Sequence, residues 1–319
     1  MCYSAEVRQA YDDYVRRFGA RIDLREFARL YVERKAGRRI RTSKAMDDGF
    51  LFMEDSNAQV IAALIEEWNA QQIADLEQSL FSQRKRLATA ERSLRTKMTR
   101  KALNDQRIAS NKIEWAKGKL TDLKRIAAEP RDARIFPGGY APVMVMERGE
   151  RVIKPMRYQC RPAGKPAVYD TRYPGTYNAR RDNLEGFWRG QFGHSHGIVI
   201  VDAFYENVSR HKVEGRDLVE NEREENLVLE FRPSDRKPML VACLFSHWRG
   251  RDEPDLLSFA AITDEPPPEI AAAGHDRCII PIKEEHLDAW LTPDPERLDT
   301  LYAILDDRER PLYRYRLAA

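Results

Sequence analysis

Apolar positions recur at helical spacing from the start of the chain. Val7, Ala10, Tyr11, Tyr14 and Phe18 share one face and predict a short helix over 6–18. Asp23, with Glu26 three residues later, predicts an N-cap and a second helix through about Arg34; Gly37 and the basic run Arg38-Arg39-Ile40-Arg41 end it. From 56 to 128 there is no proline, and Gly118 is the only glycine. Ile73, Leu76, Leu80, Gln83, Leu87, Ala90 and Leu94 alternate three and four apart, and so do Ile113, Ala116, Leu120, Leu123 and Ala127. These are heptad seams, each only about three heptads long, which favours self-packing over a long oligomeric coil. Asn104-Asp105 falls between them, so the pattern predicts an antiparallel helical hairpin over about 56–128 rather than one rod.

After Glu129-Pro130 the period shortens. Apolar runs at 143–146, 197–201, 227–231, 239–245 and 257–262 read as strands separated by Gly, Pro, Asp and Asn turns, and helical patterns return at about 284–291 and 296–305. The expected fold class is α+β, with a curled, mostly antiparallel sheet. The expected organisation is a body formed by 1–20 and 131–319, with 21–130 as a helical insertion carrying the hairpin.

Composition narrows the setting. The 319 residues suffice for one large domain or two ordinary ones. With 42% hydrophobic and 33% charged residues, the chain reads as soluble and globular. No apolar run approaches the ~20 residues of a membrane span, and the start, with Glu6, Arg8, Asp12 and Asp13, does not read as a signal peptide. Cys2, Cys160, Cys243 and Cys278 are widely spaced with no C-x-x-C pair, so neither a cysteine zinc site nor a disulfide framework is expected, and the setting reads as reducing and cytoplasmic. Net charge is only +3, so affinity for nucleic acid must come from local patches. One such patch is evident. Between 84 and 125, fourteen Lys and Arg stand against Glu91, Asp105, Glu114 and Asp122. It reads either as a solvated helix surface or as a phosphate-binding arm.

Candidate chemistry begins with Met1-Cys2. Removal of Met1 would give Cys2 a free α-amine beside its thiol. The amine attacks aldehydes, and the thiol can close on the resulting imine; both groups have a usable reactive fraction near neutral pH. Three downstream segments change the weight of this: Tyr177-Asn178-Ala179-Arg180, Val201-Asp202-Ala203-Phe204-Tyr205-Glu206 and Gly274-His275-Asp276-Arg277. Together with Met1-Cys2 they resemble, in order, motifs of the SRAP family (SOS response-associated peptidase), the abasic-site DNA–protein crosslinking proteins. The family's usual forms are Met-Cys-Gly-Arg, Asn-Ala-Arg-x-Glu, Ala-Asp-Gly-Phe-Tyr-Glu-Trp and His-Asp-Arg-Met-Pro. The resemblance covers about the first twenty residues and 131–319. Departures fall mostly on neighbours: Tyr3-Ser4 follow Cys2, Asp182 stands where Glu is usual, Ala203 replaces Gly, Asn207 replaces Trp, and Cys278-Ile279-Ile280-Pro281 follow Arg277.

The resemblance implies a thiazolidine crosslink between Cys2 and an abasic site in single-stranded DNA, with associated autopeptidase and lyase activity in a DNA damage (SOS) response near the nucleoid. It implies no cofactor. Cys2 would be the nucleophile. Glu206, after an apolar strand whose burial would suit it to acid/base work, and His275 would move protons; Asn178 would orient the amine or the sugar. Arg157, Arg180, Arg181 and Arg189 would hold phosphates, and Trp188 would stack on a base. Each residue also has a plainer reading: Glu206 as a surface carboxylate, His275 as a partner of a carboxylate, Asn178 as a turn residue near Pro174-Gly175, and Trp188 and Phe187 as core. Two other function classes stay open. One is a coiled-coil protein binding nucleic acid or a protein partner over a vestigial site; the other is a cysteine peptidase acting on other proteins. No metal is expected: His194-x-His196 is half a site, and no convincing third and fourth ligands stand out, although His211 and His247 are available. Gly138-Gly139 lacks the lysine of a phosphate loop.

Overall fold

The computed structural model describes residues 4–7, 11–250 and 253–318. Its strands are β1 (Ser4–Val7), β2 (Arg21–Ile22), β3 (Arg41–Thr42), β4 (Arg134–Ile135), β5 (Gly139–Glu147), β6 (Glu150–Tyr158), β7 (Asn178–Arg180), β8 (His196–Ser209), β9 (Asn226–Pro233), β10 (Met239–Trp248), β11 (Leu256–Asp264), β12 (Cys278–Ile279), β13 (Pro281–Ile282) and β14 (Tyr313–Leu317). Its helices are α1 (Tyr11–Phe18), α2 (Leu24–Lys35), α3 (Lys44–Leu51), α4 (Ser56–Thr96), α5 (Arg100–Lys124), α6 (Tyr169–Arg172), α7 (Arg210–Val213), α8 (Pro268–Ala272), α9 (Leu287–Leu291) and α10 (Leu298–Asp306). The α+β class expected from the sequence is the one found.

Strands β10, β11, β6, β5 and β8 pair in turn, and β8 pairs back to β10, so the sheet closes on itself. Most pairings are antiparallel, but β6 and β7 both run parallel to β11. Closure leaves two apolar faces to fill, and strand alternation fills both. Val143, Val145, Val199, Val201, Val241, Phe259 and Ala261 point into the barrel. Their neighbours Met144, Ile198, Ile200, Leu240, Ala242, Ala260 and Ile262 point outward, under Phe27, Tyr31, Phe50, Trp290 and Leu305 of the surrounding helices. This is why the runs read as continuously apolar rather than alternating.

The N-terminal segment differs from the sequence reading in one respect that matters for the site. The helix expected over 6–18 starts at Tyr11, and Ser4–Val7 forms a strand between β8 and β4. Asp23 does cap α2, its side chain accepting from the Glu26 N–H. The helical segment expected over 21–130 is rooted in the body. β2 pairs with β6 and β3 with β5, and Ala58, Ile61 and Ile65 of α4 lie in the main core.

Helices α4 and α5 form the antiparallel hairpin. Every residue of the first seam is buried or half-buried; in the second, Ile113 and Ala116 are buried, Leu120 and Leu123 half-buried, and Ala127 lies exposed beyond the helix end. The turn is at 97–99, not at Asn104-Asp105. Thr99 caps α5 by accepting from the Ala102 N–H, and Asp105 sits inside the helix, where it takes the Arg86 guanidinium across the seam at 2.5 Å. No residue of α4 beyond Ile65, and none of α5, belongs to either core. Excising 79–121 and joining the ends by a short Gly/Ser turn is therefore expected to leave the thermal unfolding midpoint of the body nearly unchanged; Glu77 and Lys124 already meet at 2.9 Å there. Cutting back to residue 56 would instead remove Ile61 and Ile65, at roughly 2–5 kcal/mol each.

Candidate functional site

Three of the four expected side chains come from segments that meet at one end of the barrel. Cys2 lies outside the described residues. The strand that follows it is well fixed: Ser4 pairs with Tyr205 and Ala5 with Phe204 on β8. Arg134 donates to the Ser4 Oγ at 2.9 Å while its guanidinium lies 3.8 Å from the centre of the Tyr205 ring. Glu6 is held by Arg232 of β9. So β1 is pinned from two sides beside the residue next to Glu206.

A bulge aims Glu206. Along β8, Val199 and Val201 face the barrel interior, so strict alternation would turn residue 206 outward with Ile198 and Ile200. The register against β1 slips by one, however: Glu6 opposes Ala203 and Val7 opposes Val201, leaving Asp202 as the extra residue. Beyond it, Phe204 and Val208 face inward, and Glu206, on the same parity, is fully buried.

His275 meets it there. Its Nε2 lies 3.3 Å from Glu206 Oε2, and the imidazole is about nine-tenths buried. Its Nδ1 is 2.9 Å from the Arg277 carbonyl oxygen. The Arg277 N–H also points at Nδ1, at 3.4 Å; the shorter contact, to an oxygen that can only accept, assigns the ring proton to Nδ1 and leaves the Nε2 lone pair toward the carboxylate. At 3.3 Å, a proton placed between Oε2 and Nε2 would join the two groups. Burial lowers the His275 pKa below its usual value. The loop reaches this position through Gly274, at φ +93°. A Cβ there would meet the Lys212 Cβ at 2.7 Å and Val208 Cγ1 at 3.0 Å. Gly274→Ala is expected to cost about 1–3 kcal/mol in thermal unfolding, with the His275 ring displaced from Glu206.

Asn178 begins β7, opposite Ala261. It is largely buried; its Oδ1 accepts from the Tyr158 hydroxyl at 3.5 Å, and its Nδ2 is buried with no partner among the described residues. β7 and β12 meet β11 at the same residue, Thr263. Charges link the two segments: Arg180, raised first by its Asp182 hydrogen bond, also feels Asp276, and Asp182, lowered first by Arg180, also feels Arg277.

The basic and aromatic candidates separate. Arg180 and Arg189 are exposed, Arg180 in a fork with Asp182. Arg181 turns away to Asp306 at 2.5 Å and Asp264 at 3.6 Å. Arg157 is spent on Asp170 at 2.7 Å, which it shares with Arg161. Burial alone would raise Asp170, but hydrogen bonds from Arg161 and Arg157 outweigh it and hold the carboxyl low. Trp188 is buried in the outer core and offers no face to a base, whereas Phe187 beside it is exposed. His196 is a core histidine: its Nε2 accepts from the Gly193 N–H, its ring lies 4.1 Å from Trp290, and burial pushes its pKa down to about 3. Sequence reading missed Tyr158, Arg134 and Ser4. Tyr158 adjoins Arg157 on β6 and so points to the opposite face.

Among solved structures, the chain is similar to a protein from Bordetella bronchiseptica (18% identity over 59% of this chain and 87% of that one, TM-score 0.46). It is also similar to a protein from Bacteroides thetaiotaomicron (13% identity, 58% and 77%, TM-score 0.46) and to a phage-related protein from Bordetella bronchiseptica (18% identity, 61% and 84%, TM-score 0.44). No curated protein matches it. The family model described as SOS response associated peptidase (SRAP) matches residues 92–317, a span that holds Asn178, Glu206, His275 and all of α5, and the chain belongs to that family.

Proposed function

We propose that the protein captures abasic sites in single-stranded DNA as a covalent adduct on Cys2. The observation that carries this reading is the buried Glu206–His275 pair, set by a bulge beside the strand that delivers the N-terminus. The described cysteines support it by elimination. Cys160, Cys243 and Cys278 are buried, and burial raises each thiol, Cys160 to about 12. Cys2 is then the thiol left for chemistry.

The ring-opened abasic sugar presents an aldehyde. The Cys2 amine adds to it, and loss of water gives an imine. The thiol then adds to the imine carbon, its proton passing to the nitrogen, and closes a five-membered thiazolidine; proximity makes this last step unimolecular. The proton held between Glu206 and His275 is available to the carbinolamine hydroxyl as water leaves, and to the sugar oxygen as the ring opens. The Asn178 Nδ2, without a partner among the described residues, is placed to orient the sugar or the amine. The same groups would release Met1 by autoproteolysis, in keeping with the peptidase description of the family. The test is incubation with uracil-glycosylase-treated single-stranded DNA. A species that survives SDS, with the adduct mapped to Cys2 by mass spectrometry, is the expected result; an adduct on a lysine would overturn the reading.

A further inference from the structure

The hairpin holds a strong charge asymmetry. Residues 84–125 carry a net +10 in a chain of +3, so everything else carries −7. Some of that charge is paired, Arg86 with Asp105 and Lys117 with Glu114 inside the stretch, Lys124 with Glu77 and Arg125 with Asp132 beyond it. The rest faces solvent, and Lys85, Lys101, Lys112 and Lys119 are exposed without an ion pair among the described residues.

These charges are organised along one face. Toward the tip, a groove of about 460 Å³ runs between the helices. Ser82, Lys85, Arg86, Thr89 and Ser93 line it from α4, and Lys101 and Asp105 from α5. On α5 the spacing 101, 105, 112, 115, 119 repeats in threes, fours and sevens. It places Lys112, Trp115 and Lys119 on the stripe that Lys101 and Asp105 begin inside the groove. Trp115 is 59% exposed, an unusual state for so large an apolar ring. The groove thus offers hydroxyls and ammonium groups at its tip end, and the stripe continues as cations flanking an open indole.

We propose that this face of the hairpin is a second DNA-binding surface, a track for the phosphate backbone of single-stranded DNA beyond the lesion, with Trp115 stacking on a base. It leans on the reading above for the class of partner, and the undamaged strand used below separates the two. An acidic protein fits less well. Protein interfaces need a charge-poor apolar centre, and the exposed apolar residues here (Phe81, Met98, Leu103, Trp115) form no continuous stripe. Cations interleaved with one open aromatic suit a phosphate chain with bases.

The experiment compares the full chain with Lys101→Glu/Lys112→Glu/Lys119→Glu on a long undamaged single-stranded oligonucleotide across a salt series. The reversal is expected to weaken binding about tenfold or more at low salt. It should also flatten the log–log salt slope by about 2, the loss of three phosphate contacts at ~0.7 each. Crosslinking of a short abasic oligonucleotide should proceed at the wild-type rate. Because the undamaged strand forms no adduct, its binding reads the hairpin even if the Cys2 chemistry fails. Unchanged affinity and slope would overturn the proposal and leave an acidic protein as the occupant; a duplex held as tightly as the single strand would overturn the assignment to single strands. Should the triple variant misfold by circular dichroism, Trp115→Ala reads the same face: about fivefold weaker single-strand binding is expected, and no change overturns it.

Discussion

Glu206→Gln is expected to slow adduct formation by ~10²–10⁴-fold while affinity for abasic DNA stays near wild type. Gln is nearly isosteric, and its amide N–H can donate to the His275 Nε2 lone pair, so the 3.3 Å contact and the Arg277 anchor survive. What is lost is the proton. A carboxyl group passes its proton on and takes it back; an amide does not. Single-turnover kinetics at saturating DNA separate the two effects, since a transition-state role lowers the rate constant and leaves Kd alone. An equal fall in rate and affinity would mark Glu206 as a binding or structural residue. His275→Ala should slow the reaction less, because the carboxyl group remains, and should also impair reversal of the adduct, which needs a base at the same position.

How far the sequence carried this site depends on local events in single strands. The runs at 143–146, 197–201, 227–231, 239–245 and 257–262 all fall within strands of the structure, because continuous apolar runs bounded by turn residues have few other uses. β6 went unread because Lys154 and Pro155 interrupt its pattern; Pro155 is tolerated opposite Pro142. The hairpin seams were legible as heptads, but its turn was not, since Asn104-Asp105 imitates a loop while Thr99 supplies the working cap. The direction of Glu206 could not be read at all. Period-2 counting from Val199 sends it outward, and only the slip at Asp202, set by pairing with a strand some two hundred residues away, turns it in. The same alternation explains Arg157 and Tyr158: of two adjacent residues, the arginine is taken by Asp170 on one face and the tyrosine reaches Asn178 on the other.

Cys2→Ala is expected to abolish the SDS-resistant species outright. Alanine keeps the α-amine, so an imine can still form, but without the thiol nothing closes on it. An imine hydrolyses in water, and the adduct should become detectable only after borohydride reduction. That pair of results, no adduct untreated and a trapped adduct on reduction, distinguishes thiazolidine chemistry from a simple lysine Schiff base, which would be trapped equally in the wild type and the variant. The amine makes a second demand. An uncleaved N-terminal tag converts it to an amide with no nucleophilic lone pair, so tagging there should be as damaging as the substitution, while a C-terminal tag should be harmless. The strand behind Cys2 supplies the structural reason. Ser4–Val7 is hydrogen-bonded between β8 and β4, with Ser4 and Glu6 held by Arg134 and Arg232, so an added N-terminal sequence cannot be taken up by sliding the register. Arg134→Ala gives an independent measure of that hold. It leaves Cys2, Glu206 and His275 unaltered, and it removes both the Ser4 hydrogen bond and the cation over Tyr205. Crosslinking should slow about tenfold through looser positioning of the nucleophile, and a normal rate would show that β1 is held without Arg134, by its strand pairing and the Arg232–Glu6 ion pair.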